Sequence, residues 1–355
     1  MNQKDIAIKR LFSQHIEDQR FKLPAELVSW LGAVQGQDYA GAKWSIGLRL
    51  NGIKDSDVEQ ALKNKTIVRT WALRGTLHIV AASDIHWLLK LISPRIISKN
   101  TRRYKELKLD KKTLSNSNKI LRNALNNDNQ LTRSELLKIL NQKGISTEGQ
   151  RGYYMLQRAS LEGLICQGVT QFNDPTYISL EEFPENKIDN EAALAELATR
   201  YFQSHGPGTL KDFIWWSGLL AKDARAGLES VKSKLKKEVI DGVTYWMSPI
   251  KSNQLDSPNI NLLPGFDEYL LSYKDRSASI DKQIKRMLTP TNGLFRPTII
   301  INGQVKGTWK RIIKKGKVII ELNPFMPLDD DETEILSLKV QRFGEFLGMD
   351  IEEVR

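Results

Sequence analysis

Three times before residue 250, helical patterning gives way to two β-prone runs joined at a tight turn. Thr66–Leu73 and Thr76–Ala81 meet at Arg74-Gly75, Leu164–Val169 and Thr176–Leu180 meet across Asn173-Asp174-Pro175, and Leu235–Trp246 folds back at Asp241-Gly242. Asp-Gly between β-prone runs is among the stronger short hairpin signals. Helices precede each pair. This repeated order, three helices and then a hairpin, is that of a winged helix, although the three copies share no repeated sequence. It limits the chain to an α+β architecture of small units in series.

The local signals fill in that frame. Residues 1–22 read as a helix with Ile6, Ile8, Leu11, Phe12 and Ile16 apolar, ending in a basic turn. Pro24 suits the first position of the next helix, Ala25–Ala33. Asp55 or Ser56 is placed to cap a helix through Leu62, and Ser83-Asp84 to cap the helix carrying Ile85, Trp87, Leu88 and Leu91. Thr132 followed by Glu135 is a capping-box start. Gly149–Glu162 reads as a second helix, and Ser160-Leu161-Glu162-Gly163-Leu164-Ile165 as a recognition-type helix running into a wing. Gly206-Pro207-Gly208 breaks the helix Ala192–Ser204, after which Thr209 caps Leu210–Ser217 and Ala221–Val231 follows.

Beyond Ser248 the chain becomes β-rich. Leu262-Leu263-Pro264 precedes Phe266–Tyr273, Thr298–Ile301 and Gln304–Trp309 flank Asn302-Gly303, and Lys317–Leu322 follows Lys315-Gly316. A small barrel or sheet is expected there. A last amphipathic helix, Thr333–Leu347, has an acidic start at Asp329–Glu332 that complements the helix dipole. The predicted fold class is therefore α+β, with three tandem winged-helix units followed by a small β-barrel-like domain. The expected divisions are 1–95, 96–186, 187–250 and 251–355.

Composition narrows the function. The 355 residues carry a net charge of +11, and an excess of this size favours a polyanionic partner such as nucleic acid. A basic stretch from Arg95 to Arg122, including Arg102 and Arg103, is either a solvated helical face or a phosphate-tracking surface, and the two are compatible. One cysteine, Cys166, sits in an apolar run and reads as buried and inert. It excludes an intrachain disulfide and a cysteine-cluster metal site. Four dispersed histidines argue against a histidine-rich metal centre. No run has signal-peptide or membrane-spanning character, so a cytoplasmic protein is expected.

The candidate site is Val34-Gln35-Gly36-Gln37-Asp38, where two helices meet and a glycine between two carboxamides lets a backbone or ligand approach closely. Asp38 is either a carboxylate helper or the N-cap of the run Tyr39–Leu50. Taken alone, the two glutamines read as ordinary surface residues.

Four segments together resemble the AlkZ-type winged-helix DNA glycosylases, bacterial enzymes that excise bulky alkylated purines and unhook interstrand crosslinks. Leu31–Asp38 is similar to the family's Gln-x-Gln catalytic motif, and Arg74-Gly75-Thr76-Leu77-His78 to its first wing. Leu262–Asp267 with Lys274-Asp275-Arg276 is similar to the entry of its C-terminal β domain. Arg296-Pro297, Asn302-Gly303 and Gly307-Thr308-Trp309 are similar to the hairpin closing that domain. The likeness implies a concave, DNA-sized surface built by three winged helices, and Gln37 places the chain with the Gln-x-Gln subgroup rather than the subgroup with Asp there.

The resemblance implies excision of N7-alkylated purines from double-stranded DNA with no cofactor and no obligate protein partner. Gln37 would position the attacking water, and Gln35 would orient it or touch the deoxyribose. No lysine in the motif is placed to form a Schiff base, so lyase activity is not expected. Arg74 and His78 are candidates for probing the duplex, His78 equally a strand residue pairing with a neighbouring backbone. Lys274, Arg276 and Lys306 would touch phosphate or instead form salt bridges with Asp267 and Asp275. Trp215-Trp216 reads as core. The alternative from another class is a non-enzymatic winged-helix DNA-binding or regulatory protein, since fold does not fix function. A metal-dependent nuclease is disfavoured for want of a carboxylate–histidine cluster.

Overall fold

The structure is a computed structural model and describes residues 1–171, 174–181, 183–249, 258–288, 296–314 and 316–354. It divides into two compact units, one of residues 1–58 and 195–355 and the other of residues 59–194.

The first unit begins with α1 (Gln3–Ser13), closed at its start by a reciprocal capping box between Asn2 and Asp5. The helix stops nine residues short of the expected end, because His15 takes a left-handed φ of 55°. In α2 (Pro24–Leu31) Pro24 holds the first turn as expected, and a short strand, β1 (Val34–Gln35), follows. The glycine that turns the chain here is Gly32, with φ 76°, and not Gly36. A side chain at Gly32 would also meet Trp216 Cη2 at 3.2 Å. Asp38 is the N-cap of α3 (Tyr39–Leu48), its Oδ1 accepting from Gly41 N at 3.0 Å. The divide between units falls within α4 (Asp55–Lys63), whose Asp55 pairs with Lys43 at 2.7 Å.

In the second unit, β2 (Ile67–Trp71) and β3 (Leu77–Ala81) pair antiparallel around Arg74 and Gly75, both at positive φ. Helices α5 (Ile85–Lys99), α6 (Thr101–Glu106) and α7 (Lys111–Ala124) carry the basic stretch. After β4 (Leu131–Thr132), α8 (Arg133–Gln142) opens with the predicted Thr132–Glu135 capping box. Helix α9 (Arg151–Leu161) forms where the sequence places it. Met155, Leu156, Gln157, Ala159, Ser160 and Leu161 are buried, while Tyr153 is exposed and Arg151, Tyr154 and Arg158 are half-buried, so most of its surface packs inside and one narrow face reaches solvent. Next, β5 (Ile165–Gln171) and β6 (Asp174–Ser179) pair, and Arg69 sits opposite Gln167, so the first two hairpins form one sheet in the order β3-β2-β5-β6-β4. Of the turn expected at Asn173-Asp174-Pro175, Asn173 lies outside the described residues. Cys166 is fully buried in β5, where desolvation raises its thiol pKa far above the ordinary value.

The chain returns to the first unit within α10 (Asn190–Ser204). Thr209 and Asp212 box the start of α11 (Leu210–Ser217), and α12 (Ala221–Val231) follows. Strands β7 (Lys236–Ile240) and β8 (Val243–Met247) meet at Asp241 and Gly242, with φ 49° and 75°, as Asp-Gly predicts. Beyond β9 (Ile260–Leu263), the segment Phe266–Tyr273 holds a helical turn, α13 (Glu268–Leu271), whose Asp267 N-cap accepts from Tyr269 N. After α14 (Lys282–Leu288), β10 (Thr298–Ile301), β11 (Gln304–Lys314), β12 (Lys317–Pro324) and β13 (Ile351–Val354) complete a five-stranded sheet with β9. Only the Gly316 half of the expected Lys315-Gly316 turn lies within the described residues. A capping box between Asp329 and Glu332 starts α15 (Asp330–Leu347), whose Phe343 meets Trp44 and Trp309 edge-to-face.

Candidate active site

The segment Gln35–Asp38 rests on buried polar groups. Gln35 N donates to Glu268 Oε1 at 2.7 Å, and Glu268 is fully buried. Trp216 Nε1 donates to Glu268 Oε2 at 3.2 Å, and Ser272 Oγ donates to the same oxygen. His205 Nε2 is 3.8 Å from it, too long for a hydrogen bond. Burial pulls the His205 pKa down, opposed by Glu268, and the ring stacks on Tyr201 with centroids 5.1 Å apart. Next to Glu268, Asp267 takes a two-pronged ion pair from Arg49 at 2.7 and 2.9 Å, with Ser45 Oγ at 2.7 Å. Arg49 spends its remaining donors on Gln14 and Ser45. Buried charges persist only when paired and hydrogen-bonded in this way. The pair therefore fixes the ends of α1 and α3 to α13, around the glutamine segment.

The two glutamines differ. Gln35 is buried, while Gln37 is exposed, one residue before the helix cap Asp38. The Asp38 carboxylate, 3.0 Å from Gly41 N, is also 4.0 Å from Arg311 Nη2, so strand β11 supplies a cation beside the motif. The nearest downstream lysine, Lys43, is buried, pairs with Asp55 and lies 4.9 Å over the Tyr39 ring.

Of the other predicted residues, Arg74 and His78 sit together on the β2–β3 hairpin, with Arg74 Nη2 3.5 Å from His78 Nε2. His78 is fully buried, and its Nδ1 meets Thr76 O at 2.9 Å, which is the strand-residue arrangement; Arg74 keeps partial exposure. Arg102 and Arg103 both pair with Glu106 on the surface of α6, and Arg103 also donates to Gln150. Lys274 Nζ and the Arg276 guanidinium lie over the half-buried ring of Trp215, at 4.6 and 5.6 Å, so only Trp216 is core as expected. The salt-bridge alternative through Asp267 is corrected, because that carboxylate belongs to Arg49 in the interior. Lys306 is exposed on β11.

Sequence reasoning missed Glu268, Arg49 and Arg311. The signal for the first was present, since two carboxylates, Asp267 and Glu268, stand in the run from Phe266 to Tyr273, which is apolar or aromatic but for them and Ser272. Among the described residues no group of three or more His, Cys, Asp or Glu is placed to hold a metal, and no helix is long and apolar enough to cross a membrane.

Residues 28–346 match the family model described as "DNA glycosylase AlkZ-like". The chain is 22% identical over 328 residues to the interstrand DNA cross-link repair glycosylase of Streptomyces sahachiroi, covering 85% of each. The solved structure of Streptomyces sahachiroi DNA glycosylase AlkZ superposes with a TM-score of 0.82 at 18% identity, covering 100% of this chain and 99% of that one, and so shares its mixed α+β fold. These matches do not favour a binder without catalysis. By the family match over most of its length, the chain belongs to the AlkZ-like DNA glycosylases, hydrolases that cleave the N-glycosidic bond and therefore act on DNA.

Proposed function

We propose that this glycosylase excises N7-alkylated purines from double-stranded DNA without lyase activity, and that Gln37 positions the attacking water. Bulky and crosslinked adducts fall within the proposed range, as the name of the Streptomyces sahachiroi relative suggests. Alkylation at N7 makes the base cationic and already a good leaving group. Loss of that base leaves an oxocarbenium-like sugar, as in glycoside hydrolysis. Little general-acid help is needed. A neutral carboxamide accepts a hydrogen bond from water through its oxygen and donates through its nitrogen, which suits it to aim a nucleophile.

The observation that carries this reading is the exposed Gln37 on a backbone fixed at both sides, by Glu268 at Gln35 and by the Asp38 cap at Gly41. Gln35, buried, would orient that water or touch the deoxyribose. The Lys43–Asp55 pair supports hydrolysis without a Schiff base, since it ties up the nearest downstream lysine. Membership of the Gln-x-Gln subgroup, three winged-helix units and the divisions at residues 95, 186 and 250 belong to the same proposal. Phosphate contacts are assigned to Arg74, Arg102, Arg103, Lys274, Arg276 and Lys306, with His78 backing Arg74 from inside the hairpin.

The test is release of free base from duplexes carrying N7-methylguanine or a bulky N7 adduct, with strand breaks scored before and after alkali. Free base with breaks only after alkali is expected. Breaks without alkali overturn the hydrolytic reading, and no base release from either duplex overturns the substrate class.

A further inference from the structure

We propose that Glu268 is a positioning residue for excision, holding strand β1 through the Gln35 amide so that Gln37 stays aimed. The inference rests on the reading of Gln37 given above. A carboxylate without exposed surface is costly unless donors converge on it. Here Gln35 N, Trp216 Nε1 and Ser272 Oγ, from three separate stretches of chain, all donate to its two oxygens. Two of these donors belong to the scaffold of α11 and α13, and the third belongs to the catalytic segment, 233 residues away in sequence.

The geometry gives this contact its leverage. Upstream of Gln37 the Gln35 amide is fixed by Glu268, and downstream Asp38 is fixed as the cap of α3. Only Gly36 and Gln37 lie between the anchors. Gly36 adds no side chain to pack, so loss of the upstream anchor weakens the hold on the backbone that carries Gln37. A displacement of about 1 Å at a positioning group can cost about 100-fold in rate. Glu268 acts on the chemistry through the Gln35 amide and not by touching the reacting atoms itself, which distinguishes it from the glutamines.

The experiment compares Glu268→Ala, Glu268→Gln and Trp216→Phe by single-turnover excision of N7-methylguanine, by duplex affinity, and by hydrogen exchange of the Gln35 amide. Glu268→Gln keeps an acceptor for that amide, whereas Glu268→Ala removes it. The expected result for Glu268→Ala is a rate about 100-fold lower, with duplex affinity within about twofold of the parent and loss of Gln35 amide protection. Glu268→Gln should recover most of both rate and protection. Trp216→Phe, which removes one donor and leaves the acceptor, should fall between them and serves if Glu268→Ala does not fold. The proposal is overturned if Glu268→Ala loses protection but keeps its rate, or if Glu268→Gln is as slow as Glu268→Ala while its amide stays protected. Loss of duplex affinity in parallel with rate also overturns it. Gln35→Ala and Gln37→Ala serve as controls. If both excise at the parent rate, the glutamine reading fails; if they are slow and Glu268→Ala is not, the positioning role alone fails.

Discussion

In the unit formed by residues 1–58 and 195–355, the charges that tie the ends of α1 and α3 to α13 are interior, while Asp38 and Arg311 beside Gln37 are partly exposed. Arg49 and Asp267 pair with almost no exposed surface, and Glu268 has none. In the unit of residues 59–194, the charges of α6 and α7 are at the surface. Arg102 pairs with Glu106 at 92% side-chain exposure, and Arg122 pairs with Glu181 at about half exposure on both sides. Lys105, Lys111, Lys119 and Arg122 line a cavity of about 950 Å³ floored by Ile97, Leu109, Leu114 and Leu164. The contrast separates two uses of charge in one basic protein. Interior pairs, with their desolvation cost offset by several hydrogen bonds, fix geometry, whereas surface cations contribute little to stability and remain available to phosphate.

The largest effect should come from breaking an interior pair. Arg49→Ala leaves Asp267 buried without its partner, and a destabilisation of about 3–5 kcal/mol is expected in urea unfolding. A loss no larger than that of a surface substitution would erase the contrast.

Charge reversal on the other unit should do the opposite. Lys105→Glu, Lys111→Glu and Lys119→Glu together should leave urea stability nearly unchanged while lowering the slope of log affinity for duplex against log salt by up to about 3. An unchanged slope would mean that this face does not meet phosphate.

A smaller effect concerns pH. The His205 pKa is lowered chiefly by burial, so the unfolded chain takes up a proton near its ordinary value of about 6.5 while the folded chain resists it. The unfolded state then binds more protons, and the stability present above about pH 6.5 is lost as pH falls below it. Unfolding at about pH 7.5 and about pH 5.5 should show this loss, and His205→Asn should reduce it, leaving the part contributed by His15, whose pKa burial also lowers. An unaltered slope in the variant would assign the acid sensitivity elsewhere.

The same contrast explains what was legible in the sequence. Caps and tight turns are set by neighbours a few residues apart, so the boxes at Thr132–Glu135 and Thr209–Asp212 and the hairpins at Arg74-Gly75, Asp241-Gly242 and Asn302-Gly303 could be read directly. The capping role of Asp38 was one of two open readings, and the Gly41 amide supports it. Contacts that frame the site join residues 218 and 233 positions apart, and no periodicity carries that information. Helix α9 and the strand after it could be read locally, whereas the pairing of β2 with β5, residues 69 and 167, could not. The turn at α13 was hidden by the β-rich texture around it, although Asp267 supplied a cap.

The central claim is that an exposed carboxamide on a fixed backbone directs water to the sugar. Single-turnover excision of N7-methylguanine by Gln37→Ala, with duplex affinity measured on the same preparation, tests it most directly. The account predicts a rate lower by about 100-fold or more with affinity retained. A rate equal to that of the parent enzyme, at equal affinity, would contradict it.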